Sequence, residues 1–195
     1  EIMFVDAQGL PVYWDDVYKF DILLLQWLGA WCSEHGKKLL VCARSEKERM
    51  SGEVSWYESI LGGCNCSWED LPKNSDYDSY LAVLRAEIVV TIDSTMGYEA
   101  FGRGKKTAFL SSRGQWIDDS QRIFAWPASL PNSGPFWSNN PVKSEFLRIM
   151  DYLSSVSEGE WKLLHKQYRE DIMFYDPGNT MLQELFDKLM PEPTA

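Results

Sequence analysis

A short stretch, Asp93 to Gly97, holds residue types well suited to binding a negatively charged ligand. Asp, Ser and Thr are preferred helix N-caps, so this stretch predicts a helix that begins at Thr95. The free N–H groups and the dipole of a helix N-terminus favour phosphate, and the hydroxyls of Ser94 and Thr95 add two donors. Gly97 has no side chain to keep a ligand away from the helix. The chemistry expected here is therefore phosphate binding.

Glu99 lies one turn further along the same predicted helix. Its carboxylate can accept hydrogen bonds from neighbouring hydroxyls, such as those of a ribose or a sugar. A second interpretation stays open, because Asp, Ser and Thr are also ordinary caps and Gly97 can pack against a strand. The residue types alone do not separate ligand binding from capping and packing.

Residues that follow other predicted strands can reach the same ligand, and these are Gln8, Gly9, Arg44 and Arg113. Arg44 comes directly after an apolar strand, where a guanidinium can bind a diphosphate with two hydrogen bonds. Pairing with the acidic residues that follow it is the alternative. Gln8 and Gly9 come soon after the first strand, and Arg113 follows the last apolar strand. We therefore include all four as candidate ligand contacts.

The apolar periodicity predicts a scaffold that would bring these residues together. Short apolar runs alternate with segments of helical spacing, which is typical of a parallel sheet with helices on both faces. The predicted strands are Ile2 to Val5, Lys38 to Ala43, Cys64 to Trp68, Glu87 to Ile92 and Lys106 to Leu110. The predicted helices are Asp15 to Glu34, Glu46 to Leu61, Asp76 to Arg85 and Thr95 to Gly102. Ligands of such sheets bind beyond the carboxyl ends of the strands.

From residue 111 onwards the composition is first typical of loops and then of helices. Residues 111–141 are rich in Pro, Gly, Asn and Trp, which predicts loops. The tryptophans there, Trp116, Trp126 and Trp137, are expected to cover the sheet edge, with stacking on a sugar or base as the alternative. Residues 143–190 return to helical spacing, and Thr180 and Gln183 have the spacing of a capping box. We expect one Rossmann-like domain over residues 1–190 and a frayed tail over 191–195.

Composition excludes several classes of protein. The 195 residues include 29 acidic and 19 basic side chains, for a net charge of −10, so the surface repels nucleic acid. No apolar run approaches the roughly 20 residues of a transmembrane helix. Two histidines and four dispersed or closely spaced cysteines do not form a metal-binding pattern, and we expect the cysteines to be reduced. No dinucleotide fingerprint, Walker A sequence or nucleophile elbow is present.

Residues 86–110, AEIVVTIDSTMGYEAFGRGKKTAFL, resemble the donor-binding half of GT-B glycosyltransferases. The likeness is strongest to bacterial capsule and surface-carbohydrate enzymes of the Kdo-transferase-like group. The shared pattern is a strand, a Ser/Thr-rich turn, Gly-aromatic-Glu-Ala on a helix, and Arg-Gly-Lys before the next strand. It falls on Ser94, Thr95, Gly97, Tyr98, Glu99, Ala100, Arg103, Gly104 and Lys105.

The resemblance implies roles for these residues. Ser94, Thr95 and Gly97 would hold the donor phosphate, and Glu99 would hold the ribose of the nucleotide or the sugar. Arg103 and Lys105 would instead cap the C-terminus of the helix, where a cation is favoured. The substrate implied is a CMP-, UDP- or GDP-linked sugar, without a further cofactor or metal. The catalytic base would belong to an N-terminal acceptor domain that this chain lacks, so no catalytic residue is predicted.

The function expected from the resemblance is glycosyl transfer in bacterial surface polysaccharide biosynthesis, of capsule or lipopolysaccharide. Its partners would be the nucleotide-sugar donor, a glycan or glycolipid acceptor and the missing N-terminal domain. We expect a cytoplasmic protein that, when whole, can be peripheral to the inner membrane. Two alternatives stay open: a sugar-nucleotide 2-epimerase or polyol-phosphate transferase, and a non-catalytic domain of a polysaccharide assembly complex.

Overall fold

Strands and helices alternate through most of the computed structural model, which describes residues 2–5, 15–42, 54–71, 77–112, 123–140 and 142–189. The strands in these ranges are β1 (Ile2–Val5), β2 (Leu39–Cys42), β3 (Trp68–Asp70), β4 (Ile88–Thr91), β5 (Lys106–Leu110) and β6 (Trp137–Ser138). The helices are α1 (Asp15–Glu34), α2 (Val54–Leu61), α3 (Asp78–Arg85), α4 (Thr95–Gly102), α5 (Lys143–Ser155), α6 (Glu158–Ile172) and α7 (Thr180–Leu189).

The six strands form one sheet in the order β3-β2-β1-β4-β5-β6, and every neighbouring pair is parallel. This is the strand order of the doubly wound Rossmann fold, so the predicted fold class is confirmed. The direction of winding reverses between the adjacent strands β1 and β4. Their last residues, Val5 and Thr91, are paired in the ladder. In folds of this kind a crevice forms beyond the strand ends at the reversal, so we expect one just beyond these two residues.

Helices cover both faces of the sheet because its central strands are apolar along their whole length. On β4, Ile88 and Val90 join a buried cluster with side chains of α1, α2 and α5. The intervening Val89 joins a second cluster with side chains of α3 and α4. Alternate residues of a strand point to opposite faces, so a continuous apolar run requires cover on both sides.

An aromatic cluster closes the sheet at β5 and β6. The two-residue strand β6 was not predicted; it pairs with β5 through Phe109 and Trp137. The aromatic side chains buried around this edge are Phe101, Phe109, Phe124, Phe136, Trp137 and Trp161. Trp137 therefore covers the sheet edge as expected, whereas Trp126 is exposed and Trp116 lies outside the described residues. Helix α6 is fixed beside α4 by Trp161, whose indole N–H donates to the Gly104 carbonyl at 2.7 Å.

Two predictions of local structure are corrected. β3 begins at Trp68 rather than Cys64, because the residues before it contact α1: the Ser33 hydroxyl donates to the Asn65 carbonyl at 3.0 Å. The N-terminus of α7 is capped by Asp176, which accepts from the Met181 N–H at 2.7 Å. Thr180 contributes by donating its hydroxyl to the same carboxylate, so the predicted Thr180–Gln183 capping box is wrong. All four cysteines are free.

Candidate functional site at the carboxyl edge of the sheet

The turn between β4 and α4 is built around Ser94. Ser94 has extended backbone angles and is the N-cap of α4, and its Oγ accepts from the Met96 N–H at 3.3 Å. Its own N–H donates to the Thr91 Oγ1 at 3.1 Å, which ties the cap to the end of β4. The Gly97 N–H donates to the Ser94 carbonyl at 2.9 Å. The chain therefore turns sharply from the strand into the helix.

This turn leaves donors available at the helix N-terminus. Among the described residues, the hydroxyl hydrogen of Ser94 has no acceptor, and neither the N–H nor the hydroxyl of the exposed Thr95 has a partner. Three donors thus remain on two consecutive residues. Because these donors lie at the positive end of the α4 dipole, the arrangement suits an oxyanion.

The fold places these donors at the crevice predicted from the strand order. Ser94 comes three residues after Thr91, whose ladder partner is the last residue of β1. The candidates Gln8, Gly9, Arg44 and Arg113 lie outside the described residues, so their positions stay predictions. Of the eight candidate ligand contacts, the structure describes Ser94, Thr95, Gly97 and Glu99, all on or next to α4.

Gly97 faces the sheet. A Cβ atom built on Gly97 would lie 2.3 Å from the Thr91 Cγ2 and 2.9 Å from the Thr91 Cβ. The residue is buried, and α4 can approach β4 this closely only because the side chain is a hydrogen. Close packing against β4 therefore explains why residue 97 is a glycine. This is the second interpretation that the sequence left open.

The Glu99 side chain is engaged with α3. The Tyr80 hydroxyl donates a hydrogen bond to the Glu99 carboxylate, and this bond, together with the charge of Glu99, raises the pKa of Tyr80. A carboxylate has about four lone-pair positions, so Glu99 keeps acceptor capacity for a ligand. Sequence reasoning missed Tyr80, because nothing in the sequence pairs a residue of α3 with one of α4.

The side chains of Arg103 and Lys105, which follow the last residue of α4, have different partners. The Lys105 ammonium donates to the carbonyls of Leu84 and Ala86, at 2.8 and 3.0 Å, and so caps the C-terminus of α3. The Arg103 guanidinium lies 4.4 Å from the ring centroid of Tyr175 and 5.6 Å from that of Tyr80. Arg103 is the C-cap residue of α4, as expected, and its guanidinium stacks on aromatic rings. The expectation for Lys105 is corrected, because Lys105 caps the neighbouring helix α3.

Two further polar groups, to which the sequence assigned no role, lie near this edge. The Tyr98 hydroxyl, in the first turn of α4, accepts the Ala125 N–H at 3.1 Å, and burial raises the pKa of this phenol. Ser112 follows the end of β5, and its fully buried Oγ has no partner among the described residues. A buried hydroxyl is normally hydrogen-bonded, so Ser112 marks a second polar position near this edge. Tyr98 is the aromatic residue of the Gly-aromatic-Glu-Ala pattern, but the sequence assigned it no role, and Ser112 belongs to no motif.

Other kinds of site find no support within the described ranges. No three His, Cys, Asp or Glu side chains there are grouped to hold a metal ion. His35 bonds the carbonyl of Trp31 at 2.8 Å, and His165 lies against the ring of Phe101. None of the described helices combines the length and apolar character needed to cross a bilayer.

Comparison with known proteins identifies a family to which this chain belongs. A search of curated proteins finds no match to this chain. A sequence model of one family, described as "putative O-antigen biosynthesis protein", matches residues 1–190. This match covers nearly the whole chain, and the chain belongs to that O-antigen biosynthesis family.

Proposed function

We propose that this chain is the donor-binding domain of a GT-B glycosyltransferase that acts in surface polysaccharide biosynthesis. The observation that carries the proposal is the position of the Ser94–Thr95 turn at the switch point of a 3-2-1-4-5-6 sheet. Doubly wound folds bind nucleotides at this point. Membership of an O-antigen biosynthesis family supports a substrate that is a precursor of a surface glycan.

The site would bind the phosphate groups of a nucleotide sugar. The Ser94 hydroxyl and the N–H and hydroxyl of Thr95 would donate to phosphate oxygens, since these donors are available and lie at the helix N-terminus. Hydrogen bonds to a charged group are stronger than those between neutral groups. These local donors matter because the protein, with a net charge of −10, does not attract anions in general.

The same donors would assist the transfer step. When the bond between the sugar and the phosphate breaks, negative charge develops on the departing phosphate oxygen. Donors fixed before the reaction stabilise that charge more in the transition state than in the bound substrate. The Glu99 carboxylate would accept hydrogen bonds from hydroxyl groups of the ribose or sugar. We assign no residue of this chain as the base that deprotonates the acceptor hydroxyl.

The first prediction is that the 195-residue chain binds at least one of CMP, UDP and GDP in isothermal titration calorimetry. Replacing Ser94 and Thr95 together, as Ser94→Ala/Thr95→Ala, should weaken that binding by about tenfold or more. Each lost hydrogen bond to a charged group is worth roughly 1.5–3 kcal/mol. The thermal unfolding of each variant is measured alongside, because Ser94 is also a cap.

A matched control is available at the opposite edge of the sheet. Ser157 caps α6 as Ser94 caps α4, but it lies next to Val156, whose carbonyl accepts from Lys106 at the first residue of β5. Ser157→Ala should therefore leave nucleotide affinity unchanged. The proposal is wrong if no nucleotide binds, or if the folded Ser94→Ala/Thr95→Ala variant binds as tightly as the wild type.

A further inference from the structure

Trp126 is an exposed tryptophan on a turn that is hydrogen-bonded to α4. Its side chain is 52% exposed, whereas Trp31, Trp137 and Trp161 are almost fully buried. Burying a tryptophan is strongly favourable, and single exposed apolar residues are common on protein surfaces. Exposure alone is therefore no evidence of a functional role for Trp126. The backbone angles and hydrogen bonds of the turn that contains Trp126 give the further evidence.

That turn is held by hydrogen bonds on either side of a strained residue. Ala125 has a positive φ of 63°, which costs energy for a residue with a Cβ. Its N–H donates to the Tyr98 hydroxyl, and the N–H of Phe124 donates to the Asn139 Oδ1 at 3.0 Å. The Ala128 N–H closes the turn on the Ala125 carbonyl at 2.8 Å. Strain of this kind persists where surrounding contacts enforce it, and it is concentrated at functional sites.

The same contacts join the turn to the helix of the candidate site. Tyr98 is four residues after the Ser94 cap, so its hydroxyl fixes the turn to the first turn of α4. The Phe124 ring stacks on the Tyr98 ring, with centroids 6.0 Å apart and an interplanar angle of 18°. Phe124 also contacts Phe109 at the end of β5, with centroids 4.5 Å apart. Trp126 thus belongs to a turn that is anchored to α4, the helix whose N-terminus carries the available donors of Ser94 and Thr95.

We propose that Trp126 is the stacking platform for the nucleobase of the bound nucleotide. This inference rests on the proposed function, since it requires a nucleotide whose phosphates lie at the N-terminus of α4. An indole face and a nucleobase are both planar aromatic surfaces, and stacking between them does not require a particular base. A neutral ring contact also suits this acidic chain, because its strength does not depend on the surface charge.

The test separates ring recognition from phosphate recognition. Inorganic pyrophosphate and the tightest-binding of CMP, UDP and GDP are titrated against the wild type, Trp126→Ala and Trp126→Phe. Trp126→Ala should weaken nucleotide binding about tenfold and leave pyrophosphate binding unchanged. Trp126→Phe, which keeps an aromatic face, should restore most of the affinity. Ser94→Ala/Thr95→Ala should instead weaken the binding of both probes.

Leu163→Ala is the control for loss of an exposed apolar side chain, since Leu163 on α6 is 73% exposed. Leu163→Ala should change neither the affinity for the nucleotide nor the affinity for pyrophosphate. If the wild type binds nucleotides and Trp126→Ala binds them equally well, this inference fails while the proposed function stands. If Trp126→Ala weakens the binding of pyrophosphate as much as that of the nucleotide, the loss does not come from base stacking and the assignment to the base is overturned. If the wild type binds no nucleotide, both proposals fail.

Discussion

Gly97 lies where α4 comes closest to β4, and its replacement tests that contact. A Cβ at this position would lie 2.3 Å from the Thr91 Cγ2, and overpacking of this kind costs about 1–3 kcal/mol. Gly97→Ala should therefore lower the free energy of unfolding by that amount in urea denaturation. Thr91→Ser removes the Cγ2 but keeps the Oγ1 that accepts from Ser94. The double variant should recover part of the loss.

Gly159 provides the matched comparison for this prediction. It lies in α6, and no atom lies within 4 Å of a Cβ built there. Gly159→Ala should leave stability unchanged or raise it, because alanine is the better helix former. If Gly97→Ala and Gly159→Ala behave alike, or if the effects of Thr91→Ser and Gly97→Ala simply add, the close contact between α4 and β4 is not what requires a glycine.

At this same scale, the sequence predicts part of the candidate site and misses the rest for a physical reason. Ser94 and Thr95 are identified by local chemistry, because helix caps depend on neighbours in the chain. The contact of Glu99 with Tyr80, and the anchoring of Ala125 by Tyr98, join residues that are distant in sequence. Such contacts arise only when helices and loops pack, so no spacing rule reports them.

At the scale of elements, β5 and the helices α1 and α4 agree with their predicted bounds. These elements are long, or have caps and apolar periodicity that point to the same structure. The shorter strands β3 and β6 were misplaced or missed, because a strand of two or three residues is defined by its partner strand. Trp137 and Ser138 form a strand only because β5 lies beside them.

Helix α6 carries a capping box that can be tested as an element. The Ser157 Oγ accepts the Glu160 N–H at 3.3 Å, and Glu160 accepts the Ser157 N–H at 3.1 Å. Ser157→Ala should destabilise the protein by about 1 kcal/mol, measured as a fall in the urea midpoint. Ser157→Asp keeps a capping oxygen and should lose much less. Equal losses in the two variants would show that the cap does not stabilise α6.

At the scale of the whole molecule, acid acts on stability in two opposite directions. The net charge is −10 at pH 7 and the isoelectric point is about 4.7, so acidification first reduces the repulsion between like charges. Acid also protonates carboxylates that the fold holds in their ionised form. Among the described residues Glu145 is the strongest case, because two hydrogen bonds from Arg148, both 2.9 Å, lower its pKa to about 2.

Comparing the wild type with Glu145→Gln separates the local contribution from the general one. The folded pKa of about 2 lies below the ordinary glutamate pKa of 4.5, so the stability that Glu145 contributes is complete above pH 4.5. It is lost as the pH falls from there towards 2. Glu145→Gln should therefore be less stable than the wild type at pH 7, and the difference should shrink in urea denaturation between pH 4.5 and 3. Glu34→Gln, at an exposed position at the end of α1, removes the same charge and should show little such change. A difference for Glu145→Gln that stays constant with pH would mean that Arg148 does not hold this carboxylate in its ionised form.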